Sequence, residues 1–151
     1  MKLRFEILYE KGKFLLKNNS LEEKEANYVQ DYLDKVKNYK IIGFSNSSPV
    51  FSLYQPPLAT PAGIRSLEVR LSRKFQRKRL PASATISLTK LCQCECEHCS
   101  AFYYNHSKNK DLDFETLRNA LGETVGLGVT NIILLGGEPL LYKKTFELID
   151  S

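Results

Sequence analysis

Thr89-Lys90-Leu91-Cys92-Gln93-Cys94-Glu95-Cys96-Glu97-His98-Cys99-Ser100 contains all four cysteines of the 151-residue chain. Cys92, Cys96 and Cys99 fall at the spacing C-x3-C-x2-C, with Cys94 inside the first gap. Thiolates are soft ligands that suit zinc and iron–sulfur clusters. A four-iron cubane normally takes four cysteines, so three thiolates leave one iron without a protein ligand, and an open metal position admits a substrate or cofactor. Thiols this crowded cannot staple separate parts of a fold. Clustered cysteines without a secretion signal point to a reducing cytoplasm and to metal chemistry.

The flanking segments set the fold class. Ala84 to Leu88 reads as a strand that runs straight into the cysteine loop. Asp113 is an N-cap candidate with Glu115 in the first turn. Phe114, Leu117, Leu121 and Val125 give the following helix its apolar face, and Gly126 and Gly128 end it. The continuous apolar run Ile132 to Leu135 predicts a parallel strand buried on both faces. Gly136-Gly137-Glu138-Pro139 follows at once, and Tyr142 to Ser151 begins another helix. This β-loop-α-β-loop-α order is the unit of α/β barrels and doubly wound sheets. A right-handed crossover sets such strands side by side or close together. Both loops therefore open on one rim, where α/β barrels keep their active sites. Gly136 and Gly137 have no Cβ and let a ligand approach the backbone. Glu138 offers a carboxylate to an ammonium group, and Pro139 stiffens the exit.

C-x3-C-x2-C after one strand and Gly-Gly-Glu-Pro after the next, with one helix between, resemble the radical S-adenosylmethionine (radical SAM) enzymes. The resemblance covers Ala84 to Ser151, and its form is similar to the peptide- and cofactor-maturing, SPASM-type branch. It implies a (4Fe-4S) cluster on Cys92, Cys96 and Cys99, with the open iron chelating the amino and carboxylate groups of S-adenosylmethionine. It also implies that Gly136, Gly137, Glu138 and Pro139 hold the methionine amino group. His98 takes a position that is often aromatic in the family and lies beside the adenine. The implied reaction is reductive cleavage to methionine and a 5′-deoxyadenosyl radical, which takes a hydrogen atom from a substrate during peptide, protein or cofactor maturation. A small-molecule or peptide substrate and an electron donor such as flavodoxin or ferredoxin are the implied partners. Cys94 departs from the pattern and reads as a spectator, or as a competitor for iron. The family fold is a partial (β/α)6 TIM-like barrel. Only its first two strand–helix units are expected here, so the chain reads as a truncated fragment, inactive by itself, with an apolar strand edge left open.

Residues 1–80 read as a small α+β accessory region ahead of the barrel portion, 81–151. Leu3 to Tyr9 and Phe14 to Lys17 flank Lys11-Gly12 as a hairpin. Ser20 and Glu23 have capping-box spacing, and Leu21, Tyr28, Val29, Tyr32, Leu33 and Val36 share a helical face that reads as core. Lys40 to Phe44 and Val50 to Tyr54 are short strand candidates around a turn at Asn46 to Pro49. Pro56, Pro57 and Pro61 mark a connector. A helix over Ala62 to Gln76 buries Ile64, Leu67, Leu71 and Phe75. Arg65, Arg70, Arg73, Lys74, Arg77, Lys78 and Arg79 make it and its exit basic. No aromatic side chains interleave the basic positions as a stacking platform would require, so a solvated face is expected rather than a nucleic-acid site.

Composition agrees with a globular rather than a disordered chain: 42% hydrophobic and 26% charged residues at a net charge of +5. No apolar run approaches the ~18 residues of a membrane span, and a cytoplasmic location is expected. Two other readings of the same residues stand beside the first. Cys92, Cys94, Cys96, Cys99, His98 and His106 could form a structural zinc site, although only Cys96 and Cys99 make a C-x2-C pair. The resemblance also implies that residues 1–80 could be a leader-peptide-binding module without catalysis, although the order of elements does not match the usual peptide-binding winged helix. Tyr103 and Tyr104 could line a cofactor site, with packing the plainer reading, and His106 reads as an ordinary loop residue.

Overall fold

Two antiparallel hairpins and two amphipathic helices build the N-terminal half around one apolar core. The computed structural model describes residues 4–100 and 111–151. Leu3, Tyr103, Tyr104 and His106 lie outside the described residues. The protein is a mixed α/β chain that divides into two compact units, 1–82 and 83–151.

In the first unit, β1 (Phe5–Glu10) pairs antiparallel with β2 (Lys13–Asn18), from Glu10 opposite Lys13 out to Phe5 opposite Asn18. Lys11 and Gly12 both take positive φ in the turn, which Gly12 adopts without penalty. Helix α1 (Glu23–Val36) starts three residues after the expected Ser20. The capping box is built from Glu22 and Glu25, and the Glu25 carboxylate accepts the Glu22 N–H at 3.2 Å. Glu25 is 3% exposed and is paired with Arg4 of the hairpin entry. A buried carboxylate therefore closes the helix onto the hairpin, a role that Ser20 could not fill. Strands β3 (Gly43–Ser45) and β4 (Ser48–Val50) form a short hairpin, each shorter than the sequence suggests. Lys40 to Ile42 and Phe51 to Tyr54 fall outside the ladder. Helix α2 (Pro61–Phe75) begins with Thr60 accepting the Gly63 N–H at 3.2 Å and with Pro61 at its first position.

Phe5, Ile7, Phe14, Val29, Leu33, Val36, Ile64, Leu67 and Leu71 make the core of this unit. The basic face of α2 is not simply solvated. The Lys74 ammonium lies 4.2 Å from the Tyr28 ring centroid, and the Arg70 guanidinium 5.2 Å from that of Tyr32. These rings come from α1, so the interleaving is tertiary and invisible in the spacing of α2 alone.

In the second unit, β5 (Ser83–Ser87) pairs parallel with β6 (Asn131–Leu135), Ser83 opposite Asn131 through Ser87 opposite Leu135. Between them in sequence lies α3 (Phe114–Gly126), capped by Asp113, whose side chain accepts the Thr116 N–H at 3.0 Å. A 3-10 turn (Pro139–Leu141) and α4 (Thr145–Asp150) follow β6. Thus the helix expected from Tyr142 begins later, after the Gly-Gly-Glu-Pro loop has turned. Leu88, Leu117 and Leu148 are the buried centre, with Ile86, Phe114, Leu121, Leu134 and Tyr142 packed on them. β6 is not buried on both faces. Ile133 is 38% and Leu135 49% exposed, while Leu134 faces the core. Val125 is likewise 48% exposed at the far end of α3. Among the described residues β6 pairs only with β5.

Candidate active site: two loops zipped at one sheet edge

Because β5 and β6 are parallel and in register, their C-terminal ends lie together, and both candidate loops leave from that end. The ladder does not stop where the strands do. The Leu88 N–H donates to the Leu135 carbonyl at 2.9 Å, the Gly137 N–H to the Thr89 carbonyl at 2.8 Å, and the Glu138 N–H to the Leu91 carbonyl at 2.7 Å. The residue before Cys92 is therefore hydrogen-bonded to the carboxylate-bearing residue of the second loop.

The glycines explain how two loops come this close. A Cβ on Gly136 would sit 2.3 Å from the Thr89 carbonyl oxygen, and Gly136 has φ +149, a conformation that favours glycine. A Cβ on Gly137 would sit 2.2 Å from the Leu91 carbonyl oxygen and 2.9 Å from the Cys92 Cβ. The absent Cβ atoms thus admit the backbone of the cysteine loop, a structural demand that the sequence reading assigned to a ligand.

Glu138 is half-buried, and its Oε1 accepts the Leu140 N–H at 3.0 Å, capping the 3-10 turn that Pro139 opens. A carboxylate has about four acceptor sites, so this cap does not exhaust it. The entry to the cysteine loop is fixed on its other side by a residue that sequence reasoning missed. The Thr89 hydroxyl donates to Asp111 Oδ2 at 2.6 Å, and the Lys90 N–H donates to Oδ1 at 2.9 Å. The Leu91 N–H in turn donates to Thr89 Oγ1 at 3.1 Å. Only the position of Asp111, two residues before the helix cap, hinted at a role.

The thiols are all free of disulfides: Cys92, Cys94 and Cys96 exposed, Cys99 half-buried. The Cys99 N–H donates to the Cys96 carbonyl at 3.1 Å, a local turn that folds the C-x2-C end of the motif. The Cys94 N–H donates to Cys92 Sγ at 3.4 Å. Local desolvation, then the neighbouring Cys92 and Cys96 and finally the Glu138 carboxylate, push the Cys94 thiol up from its ordinary value. A raised thiol is a poorer source of thiolate. Among the described residues, no three His, Cys, Asp or Glu side chains converge as a metal cage. The donor chemistry nevertheless fits an iron–sulfur group: several unpaired thiols on one accessible loop. His98 is exposed on the same loop.

The chain is 37% identical over 68 residues to a PqqA peptide cyclase of Ruegeria pomeroyi, covering 45% of this chain and 18% of that protein. It is 38% identical over 67 residues to an uncharacterised protein of Methanocaldococcus jannaschii, covering 44% and 21%. It is 25% identical over 68 residues to a GTP 3',8-cyclase of Actinobacillus succinogenes, covering 44% and 20%. The chain spans about a fifth of the length of these curated relatives. No family profile and no solved structure matches it. The local similarity to the named cyclases supports the radical SAM resemblance that the two motifs carry.

Proposed function

We propose that residues 83–151 are the beginning of a radical SAM barrel and that this loop pair is its cofactor edge. The observation that carries the reading is the zipper: the C-x3-C-x2-C loop and Gly-Gly-Glu-Pro are joined backbone to backbone at the C-terminal ends of two adjacent parallel strands. Ligands of open parallel α/β folds bind at that end. Similarity to PqqA peptide cyclases and to a GTP 3',8-cyclase supports the same class.

In this reading Cys92, Cys96 and Cys99 hold a (4Fe-4S) cluster through three irons. When bound, the cluster would supply one electron to S-adenosylmethionine, with a small protein or other donor supplying that electron in turn. Glu138 would accept hydrogen bonds from the methionine ammonium group, its position fixed by the Leu91 carbonyl on one side and the Leu140 N–H on the other. Gly136 and Gly137 would bring that carboxylate close to the cysteines, and His98 would lie on the adenine side. Cys94, which lies inside the first gap of the C-x3-C-x2-C spacing, would stay outside the cluster. The substrate class that the resemblance suggests is a peptide or a cofactor precursor.

The test is anaerobic reconstitution with iron and sulfide. Cys92→Ala, Cys96→Ala and Cys99→Ala should each lose the four-iron cluster, and Cys94→Ala should keep it. Zinc uptake without sulfide, or loss of the cluster in Cys94→Ala alone, would sink the assignment.

A further inference from the structure

The carboxylate of Asp111 belongs to neither motif, yet it holds the residue on which both depend. It accepts the Thr89 hydroxyl at 2.6 Å and the Lys90 N–H at 2.9 Å across a sequence separation of 22 residues for the former. That separation spans all four cysteines. Thr89 is 2% exposed, so its hydroxyl must be satisfied within the protein. It is satisfied twice, donating to Asp111 and accepting from the Leu91 N–H at 3.1 Å. The backbone of Thr89 is meanwhile bonded to Gly137, and the carbonyl of Leu91 to Glu138. One threonine side chain therefore links Asp111 to the residue that immediately precedes Cys92, and through it to Glu138.

From this we infer that Asp111 is a positioning residue: acting through Thr89, it fixes the backbone at Leu91 and so sets where Cys92 and Glu138 stand relative to each other. The inference rests on the proposed function for its chemical meaning, but the clamp is a property of the chain alone. Both bonds to Asp111 are charge-assisted and stronger than neutral ones. Bonds in one chain polarise one another, so the links should fail together rather than singly. Without Asp111, the Thr89 hydroxyl would be free to rotate, and Leu91 would lose the fixed acceptor of its N–H.

The experiment has two arms on the full chain. The first uses metal-free protein and amide hydrogen exchange. Asp111→Ala should speed exchange at Leu91 and Glu138 by about tenfold or more, with amides of α1 in the other unit unchanged. Asp111→Asn, which keeps one acceptor, should fall between. Thr89→Val should match Asp111→Ala, the double variant should add little to either, and Thr89→Ser should remain near the parent. If Asp111→Ala fails to fold, the Thr89 pair decides the same point.

The second arm uses reconstituted protein. Asp111→Ala should bind S-adenosylmethionine about tenfold more weakly at unchanged iron and sulfide content, and its electron paramagnetic resonance spectrum with the cofactor should differ from the parent's. Parent-like exchange at both amides in Asp111→Ala, or parent-like cofactor affinity and spectrum, overturns the inference. Failure of the parent itself to take up a cluster overturns the proposed function instead, and the exchange arm then decides the clamp by itself.

Discussion

Placing a methyl group on Gly137 tests the close approach of the two loops directly. Its Cβ would lie 2.2 Å from the Leu91 carbonyl oxygen, 2.6 Å from the Leu91 carbonyl carbon and 2.9 Å from the Cys92 Cβ. Two of these atoms are backbone, so no rotamer change relieves the contact, and ordinary van der Waals distance requires a shift of about 1 Å. Overpacking of this kind costs about 1–3 kcal/mol. The displaced carbonyl is also the acceptor of the Glu138 N–H at 2.7 Å, and losing that bond adds about 1 kcal/mol. Gly137→Ala should therefore destabilise the second unit by about 2–4 kcal/mol. In urea unfolding followed by far-UV circular dichroism, with a slope of about 2 kcal/mol per molar, the midpoint should fall by about 1–2 M. Gly122 is the control. It lies within α3, and a Cβ there meets nothing within 4 Å. Gly122→Ala should stabilise the same unit by about 0.5–1 kcal/mol through helix propensity. If both alanines shift the midpoint alike, or Gly137→Ala leaves it in place, the loops are not packed as described.

Further predictions follow from the same contacts. Glu138→Ala should weaken S-adenosylmethionine binding to reconstituted protein by roughly 10- to 100-fold, the loss of one charge-assisted hydrogen bond, with iron content unchanged in a calorimetric titration under anaerobic conditions. Thr60→Ala removes the acceptor of the Gly63 N–H at the start of α2 and should cost about 1 kcal/mol of the first unit's stability in the same urea assay. Glu25→Ala should cost about 2–3 kcal/mol. That is less than a fully buried pair would lose, since Arg4 keeps 32% of its side-chain surface in water. The backbone N–H of Thr116 and then its hydroxyl hold the Asp113 carboxyl below its ordinary value near 3.8. Its cap is therefore in full force above that value and is lost as pH falls through the lower folded one. Asp113→Ser should flatten this part of the acid-unfolding profile of the second unit.

Local chemistry made much of this protein legible from its sequence. Period-two segments around Lys11-Gly12 specify the first hairpin, and the Asp113 cap and the glycines at 126 and 128 bound α3. The apolar run before Gly136 marks a strand, because these signals act within a few residues of one another. The thiol spacing and the Gly-Gly-Glu-Pro run likewise name candidate residues, since metal and carboxylate chemistry reside in residue type and order. Tertiary structure decided what those residues pack against. Gly136 and Gly137 are glycines because Thr89 and Leu91 press against them, a contact between segments more than 40 positions apart in the sequence. Asp111 acquires its role only when Thr89 is folded back onto it, and the rings beneath Arg70 and Lys74 come from a different helix. The start of α1 moved from Ser20 to Glu23 because the buried Glu25 carboxylate serves Arg4 and the Glu22 N–H together. Such partners are chosen by distance in space, and a one-dimensional pattern holds no record of them until the chain has folded.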